Sequence, residues 1–169
     1  MPAPPPSPQP VTAREGCAAD QVRTTTEVVD VCIDLYEAPG FGAPPQHFSF
    51  AAAATHCAER GRRLCAEQEW EAACRGPAGQ LYPYGDEFDP EACVVGASRA
   101  RSVGNANSCR SGFGAYDMSG NAAEWVDGPL MKGGDFASDA FGARCGARAR
   151  AAAAEESLSG VRCCSAPQL

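Results

Sequence analysis

The chain has 169 residues, among them 18 glycines and 14 prolines, and its formal net charge is −7 at pH 7. This length suits one domain with a hydrophobic core of its own, and the glycine and proline content favours a loop-rich fold over a helical bundle. Lysine and arginine are not clustered in the sequence, which excludes nucleic acid as an expected partner, and the lack of any apolar run of about 18 residues excludes a membrane span.

The N-terminal segment, 1–16, begins with residues that are mostly Pro, Ala and Ser. We predict a flexible lead with little structure there, and it lacks the apolar middle of a signal peptide. The rest of the chain, 17–169, is expected to form a single domain. Its first element is a strand over 27–36, where β-branched and polar residues alternate, and a Pro- and Gly-rich loop follows over 38–47.

Two helices are predicted next. The first spans 49–62, because Ser49 can cap it, an alanine run favours it and Gly61 stands near its end. The second spans 67–75, where apolar residues recur at helical spacing on one side. Ala66 stands at its cap position and offers no side-chain acceptor, so this helix is expected to be weakly capped.

Beyond residue 76 the chain is rich in Gly, Pro, Asn and Asp, so long helices are not expected. Short strands are predicted within 126–136 and 159–163. The alanine-rich stretch 147–156 has helical propensity, but we expect an irregular surface segment there, because context overrides propensity.

Ten cysteines in 169 residues favour disulfides, and therefore an extracytoplasmic location, either periplasmic, at the cell surface or secreted. The alternative is a zinc site. No Cys-x-x-Cys pair occurs and the two histidines, His47 and His56, stand alone, which favours disulfides over metal thiolates. The cysteines are Cys17, Cys32, Cys57, Cys65, Cys74, Cys93, Cys109, Cys145, Cys163 and Cys164.

Residues 112–125 read Gly-Phe-Gly-Ala-Tyr-Asp-Met-Ser-Gly-Asn-Ala-Ala-Glu-Trp and form the most informative stretch of the chain. Other pieces stand in a matching order: Gly61-Arg62-Arg63-Leu64, Glu67-Gln68-Glu69-Trp70-Glu71, Cys74-Arg75-Gly76, Tyr82-Pro83-Tyr84-Gly85, Lys132-Gly133-Gly134-Asp135-Phe136 and Gly160-Val161-Arg162-Cys163. Together they resemble the formylglycine-generating enzyme family, also called sulfatase-modifying factors, over about 31–164. The resemblance implies an α+β, C-type-lectin-like fold in which two helices pack on small twisted antiparallel sheets with much irregular chain.

The resemblance also implies two disulfides, Cys57–Cys163 and Cys74–Cys145. Among the remaining cysteines, Cys93 and Cys109 flank a segment rich in Gly, Ser and Asn and are expected to pair across it. Pairing Cys17 with Cys32 and Cys65 with Cys164 then leaves no free thiol. These two pairs are chosen only because they use the remaining cysteines, and no geometric argument selects them. Adjacent residues of a strand point in opposite directions, so Cys163 and Cys164 are expected to have separate partners.

The aerobic enzymes of the family oxidise a cysteine of sulfatases to formylglycine with two cysteines that bind copper(I), a soft ion suited to thiolates. In the matching region, 133–145, Ser138 falls where the first of these cysteines stands, and no cysteine falls at the second. Asp135 replaces a serine of the family, and Ala123 replaces an aromatic residue that lines the substrate groove. We therefore interpret the oxidase site as absent and do not expect copper.

The sequence matches the family better at its calcium site than at its copper site. The resemblance implies one ion held by Asp117, the backbone carbonyls of Gly120 and Ala122, and the carboxylate of Glu124. Carboxylates and turn carbonyls are the ligands that this hard cation prefers. The alternative is a tight turn whose carboxylates bond backbone amides without any metal.

These observations predict a non-catalytic extracytoplasmic domain, stabilised by disulfides and calcium, that binds or supports an unknown protein, peptide or glycan. The alternative is an enzyme, either a divergent formylglycine-type oxidase or a redox protein that uses Cys163 and Cys164. The aromatic residues Trp70, Tyr82, Tyr84 and Trp125 are predicted to pack in the core and turns rather than to form a sugar-binding platform.

Overall fold

The computed structural model describes residues 15–150 and 159–168. They contain two helices, α1 (Phe50–Ala58) and α2 (Glu67–Arg75). They also contain the strands β1 (Gln21–Thr25), β2 (Asp30–Asp34), β3 (Arg63–Leu64), β4 (Ala123–Val126), β5 (Leu130–Lys132), β6 (Arg148–Arg150), β7 (Ser159–Val161) and β8 (Cys163–Ser165). Neither helix is long and apolar enough to cross a membrane, a finding that covers the described residues only.

The first sheet has the strand order β1-β2-β8-β3, and all its neighbours are antiparallel. The strand predicted over 27–36 is shorter than expected, because its first residues belong to the turn of a hairpin with β1, a strand that was not predicted. The hydroxyl of Thr26 accepts hydrogen bonds from the amides of Val28 and Val29, 3.3 and 3.0 Å away. Such local bonding of a threonine side chain favours a turn over a continued strand.

The second sheet has the order β6-β5-β4-β7. Its β5 pairs antiparallel with both neighbours, whereas β4 and β7 are parallel. Among the described strands, this parallel pair is the one departure from the small antiparallel sheets expected from the sequence. A parallel pair needs a long crossover, and the chain between Val126 and Ser159 supplies one.

Both helices begin where the sequence predicts. The hydroxyl of Ser49 accepts the amide of Ala52 at 3.1 Å and caps α1, which ends earlier than predicted, in a turn that includes Gly61 at φ +67°. The N-cap of α2 has no side-chain acceptor, as expected for Ala66, but Glu69 Oε2 accepts the amide of Ala66 at 2.7 Å and compensates in part.

The structure contains five disulfides, and they join the five pairs expected from the sequence: Cys17–Cys32, Cys57–Cys163, Cys65–Cys164, Cys74–Cys145 and Cys93–Cys109. No cysteine is free. The adjacent Cys163 and Cys164 have separate partners, so β8 is tied both to α1 and, through Cys65, to the short link between β3 and α2.

Two expectations extend beyond the described residues. The alanine-rich stretch 147–156 includes β6, which was not predicted, while its part from 151 onward lies outside the described residues. Most of the flexible lead predicted over 1–16 lies outside them as well.

Candidate functional site

The loop that precedes β4 holds a neighbouring segment with two polar side chains. Asp117 and Asn121 both have left-handed backbones, with φ of 56° and 62°, a conformation that Asp and Asn tolerate better than most residues. Asp117 Oδ2 accepts the amide of Gly104 at 2.6 Å. The side-chain amide of Asn121 accepts the N–H of Arg101 at 2.9 Å and donates to its carbonyl at 3.1 Å. The loop thus fixes the main chain of 101–104.

Glu124 lies at the centre of a buried polar network. Its Oε1 accepts Nη2 of Arg162 at 2.9 Å, and its Oε2 accepts Nε of Arg162 at 3.0 Å and Nε1 of Trp70 at 2.7 Å. The remaining donors of Arg162 bond the carbonyl oxygens of Asp34, Leu35 and Tyr116. All five N–H groups of this guanidinium therefore have acceptors. Arg162 lies in the family-like piece Gly160-Val161-Arg162-Cys163, but nothing in the sequence indicates this role.

Glu37 is a second buried carboxylate beside this loop, and it was not predicted from the sequence. Its Oε1 accepts Nδ2 of Asn121 at 3.3 Å, and its Oε2 has no partner in the structure. Burial and the nearby negative charge of Glu124 raise the pKa of Glu37 well above its ordinary value. Gly160 passes so close that a Cβ there would lie 2.8 Å from Glu37 Oε2. Nothing in the sequence around Glu37, which stands between Tyr36 and Ala38, indicates that its carboxylate is buried beside this loop.

The expected calcium ligands fit a cation in part. Asp117 is buried, its Oδ1 has no hydrogen-bond partner, and burial raises the pKa of its carboxyl group. An unpaired buried carboxylate oxygen is the kind of atom a cation satisfies. Glu124, in contrast, uses both oxygens for Arg162 and Trp70. Among the described residues no three His, Cys, Asp or Glu side chains converge on one point. Within the predicted set, Asp117 thus offers an unpaired carboxylate oxygen for a cation, and Glu124 does not.

The region that matches the copper site of the family is a compact turn. Ser138 Oγ accepts the amide of Asp135 at 2.9 Å. A Cβ on Gly134 or Gly142 would lie 2.9 or 3.2 Å from the Cβ of Ser138, so this side chain fills the space between two glycines. Ala123, at the position of the family's aromatic residue, is 3% exposed and packs in the core.

The aromatic residues have the packing role that the sequence predicts. Trp70, Tyr82 and Trp125 are buried, and Tyr84 stacks on Tyr82 with 5.4 Å between ring centroids. Trp125 Nε1 donates to the carbonyl of Phe48 at 2.8 Å. They therefore present no open aromatic platform for a sugar.

Comparison with known proteins places this fold and loop in a family. The sulfatase-modifying factor enzyme 1-like domain matches residues 40–167. The chain belongs to this family. It is 36% identical to the inactive C-alpha-formylglycine-generating enzyme 2 of Mus musculus over 96 residues, which cover 49% of the chain and 31% of that relative. It is also 35% identical to hercynine oxygenase of Mycolicibacterium smegmatis over 104 residues, which cover 57% of the chain and 24% of that relative. The match thus spans less than a third of either relative.

The fold of this family member is also similar to a solved structure, that of PvdO from Pseudomonas aeruginosa. The TM-score is 0.64 at 17% identity, and the likeness covers 96% of this chain and 100% of that one. At this identity the likeness shows the fold alone, and it confirms the α+β, formylglycine-generating-enzyme-like architecture expected from the sequence.

Proposed function

We propose that this family member is a non-catalytic extracytoplasmic domain that binds or supports a partner. The observation that carries the proposal is that its cysteines are all bonded to one another. All ten cysteines are paired in disulfides, and Ser138, with a hydroxyl oxygen, stands at the position that the resemblance to the family assigns to a copper-binding thiolate. A hydroxyl is a poor ligand for copper(I), which selects soft thiolates.

Two further observations support this function. One relative in the family carries the name inactive C-alpha-formylglycine-generating enzyme 2, so a member without the oxidase activity has precedent. Five disulfides in 169 residues are typical of proteins that mature outside the reducing cytosol. Calcium at Asp117 and the adjacent turn carbonyls belongs to the same proposal and would stabilise the loop.

The alternative redox role for Cys163 and Cys164 finds little support in the fold. Each is fully buried and bonded to a cysteine of another segment, Cys57 or Cys65. A catalytic pair needs thiolate character and access to its substrate. Using these two sulfurs would require opening both bridges in the core.

The direct test is incubation of the purified protein with a Cys-x-Pro-x-Arg peptide, copper and air, followed by mass spectrometry. We expect the peptide thiol to persist, while the formylglycine-generating enzyme of Bos taurus serves as the positive control for conversion to the aldehyde. Aldehyde formation by this protein would overturn the proposal. A thiol count under denaturing, non-reducing conditions should give zero, and two free thiols would favour the redox alternative.

A further inference from the structure

A groove of about 600 Å³ lies beside the loop that precedes β4. It is lined by Pro44, Pro45, Arg99, Ala100, Arg101, Ser102 and Asn105. Two arginines thus line one open groove of a protein whose net charge is −7. This concentration of positive charge is not visible in the sequence as a basic run, because only two residues contribute it.

The side chains of Arg99 and Arg101 have no partner among the described residues. The other arginines whose side chains are described bond a carboxylate, a histidine or backbone carbonyls, or stack on an aromatic ring; they are Arg23, Arg60, Arg62, Arg63, Arg75, Arg110, Arg144, Arg148 and Arg162. In an acidic protein with many carboxylates available, two unpaired guanidinium groups in one groove indicate a site for an anionic partner.

The wall that carries these arginines is held in place from both sides. The side-chain amide of Asn121 bonds the N–H and the carbonyl of Arg101, and Asp117 Oδ2 accepts the amide of Gly104. On the other side, Val103 donates to the carbonyl of Ala43 at 2.8 Å and accepts the amide of Gly42 at 2.9 Å. The groove is therefore pre-formed, and a partner need not order its backbone on binding.

The remaining surface favours a polypeptide over a small anion. The volume of the groove greatly exceeds that of one carboxylate or sulfate, and Pro44 and Pro45 provide apolar contact beside the charges. Phe41 is 71% exposed and packs next to Gly104, adjoining the same segment. Asn105 and Ser102 add polar side chains that can bond a peptide backbone.

We propose that this groove binds an acidic segment of a partner protein, with Arg99 and Arg101 pairing with its carboxylates. The inference rests on the proposed binding role and names the surface and the chemistry of the partner. Guanidinium groups form bidentate, charge-assisted bonds with carboxylates, which explains why arginine rather than lysine suits such a site.

The test is fluorescence anisotropy with a labelled eight-residue peptide of alternating glutamate and glycine at low salt. The double variant R99Q/R101Q should bind about tenfold more weakly, since two exposed ion pairs are lost. The matched control is R23Q/R63Q, which removes the same charge from ion pairs elsewhere on the surface and should change the affinity less than about twofold. A glutamine version of the peptide should not bind, and added salt should weaken binding of the glutamate peptide.

Equal losses in both double variants, or no binding of the glutamate peptide at millimolar concentration, would overturn the proposal. So would competition by inorganic sulfate at the same concentration as the peptide, or concentration-dependent self-association that R99Q/R101Q abolishes. The variants should fold normally, because neither the Arg99 nor the Arg101 side chain forms a hydrogen bond or ion pair with a described residue, and circular dichroism checks this. The thiol-peptide assay does not depend on this groove. If the groove does not bind the acidic peptide, the proposed non-catalytic role still stands.

Discussion

The carboxylate of Glu124 and the guanidinium of Arg162 form an ion pair in which neither side chain is exposed to solvent, with Oε1 and Nη2 2.9 Å apart. The pair joins β4 to the residue between β7 and β8, and through the other donors of Arg162 it also holds the end of β2. A buried pair of this kind costs much desolvation, which only complete hydrogen bonding offsets. Because their charged groups are fully used in this buried network, Glu124 and Arg162 both serve to hold the fold together.

Replacing Glu124 with Gln should destabilise the protein by about 3–5 kcal/mol, because Arg162 is left buried without its counter-charge. Urea denaturation followed by circular dichroism measures the change. The double variant E124Q/R162M should lose less unfolding free energy than the two single variants lose when their losses are added, since no unpaired charge then remains. Asp30→Asn, which breaks the exposed pair with Arg23, is the control and should cost far less. A small loss on Glu124→Gln would mean that the pair contributes little to the fold.

Local features of this structure were predictable, and their causes are local as well. The start of α1 follows from the Ser49 cap, and the bounds of α2 follow from its amphipathic spacing and the glycine that ends it. The packing role of Trp70 follows from the same helical spacing. The resemblance to a known family supplied two of the disulfides, which periodicity alone does not reveal.

Features that depend on distant parts of the chain were missed. Glu37 meets Asn121 across 84 residues, and Arg162 meets Glu124 across 38. The parallel pairing of β4 with β7 likewise depends on how the chain returns after a long connection. No short sequence window contains both members of these pairs, so only the assembled fold reveals them.

Glu37 should make stability depend on pH. Its pKa is raised in the folded state above the ordinary value of 4.5, so the folded protein keeps a proton that the unfolded chain releases. Stability from this group is present below about pH 4.5 and is lost as the pH rises through the folded pKa. In Glu37→Gln this loss is absent. The unfolding free energy of the wild type relative to the variant should therefore fall over the pH range above about 4.5, as the pH rises toward the folded pKa.

Denaturant unfolding at several pH values measures this difference. Glu59→Gln, which alters an exposed carboxylate, is the control for a simple change of net charge. A wild-type-to-variant difference that stays constant across this range would contradict the burial of a protonated Glu37.

The disulfides should differ in their contribution to stability. Cys57 and Cys163 are 106 residues apart, whereas Cys93 and Cys109 are 16 apart. In the chain-entropy model the first bridge stabilises by about 5 kcal/mol and the second by about 3. Paired Cys→Ala variants of each bridge, compared by denaturant unfolding, should keep this order. The reverse order would show that native packing around the sulfurs, rather than loop length, determines how much each disulfide stabilises the protein.

Calcium should raise the melting temperature of the protein if Asp117 and the adjacent carbonyls bind it. At a calcium concentration about 100 times the dissociation constant, binding stabilises by about 2.7 kcal/mol, which corresponds to a shift of roughly 5–10 °C in a chain of this size. A chelator should reverse the shift, and magnesium should not replace calcium, because it requires a smaller and more rigid octahedral site. Asp117→Asn is the informative variant, because it keeps an oxygen that can accept the amide of Gly104 while it removes the charge. This variant should melt at the same temperature with and without calcium. If the wild type itself melts identically in calcium and in chelator, the loop is a metal-free turn and Asp117 serves only to hold Gly104.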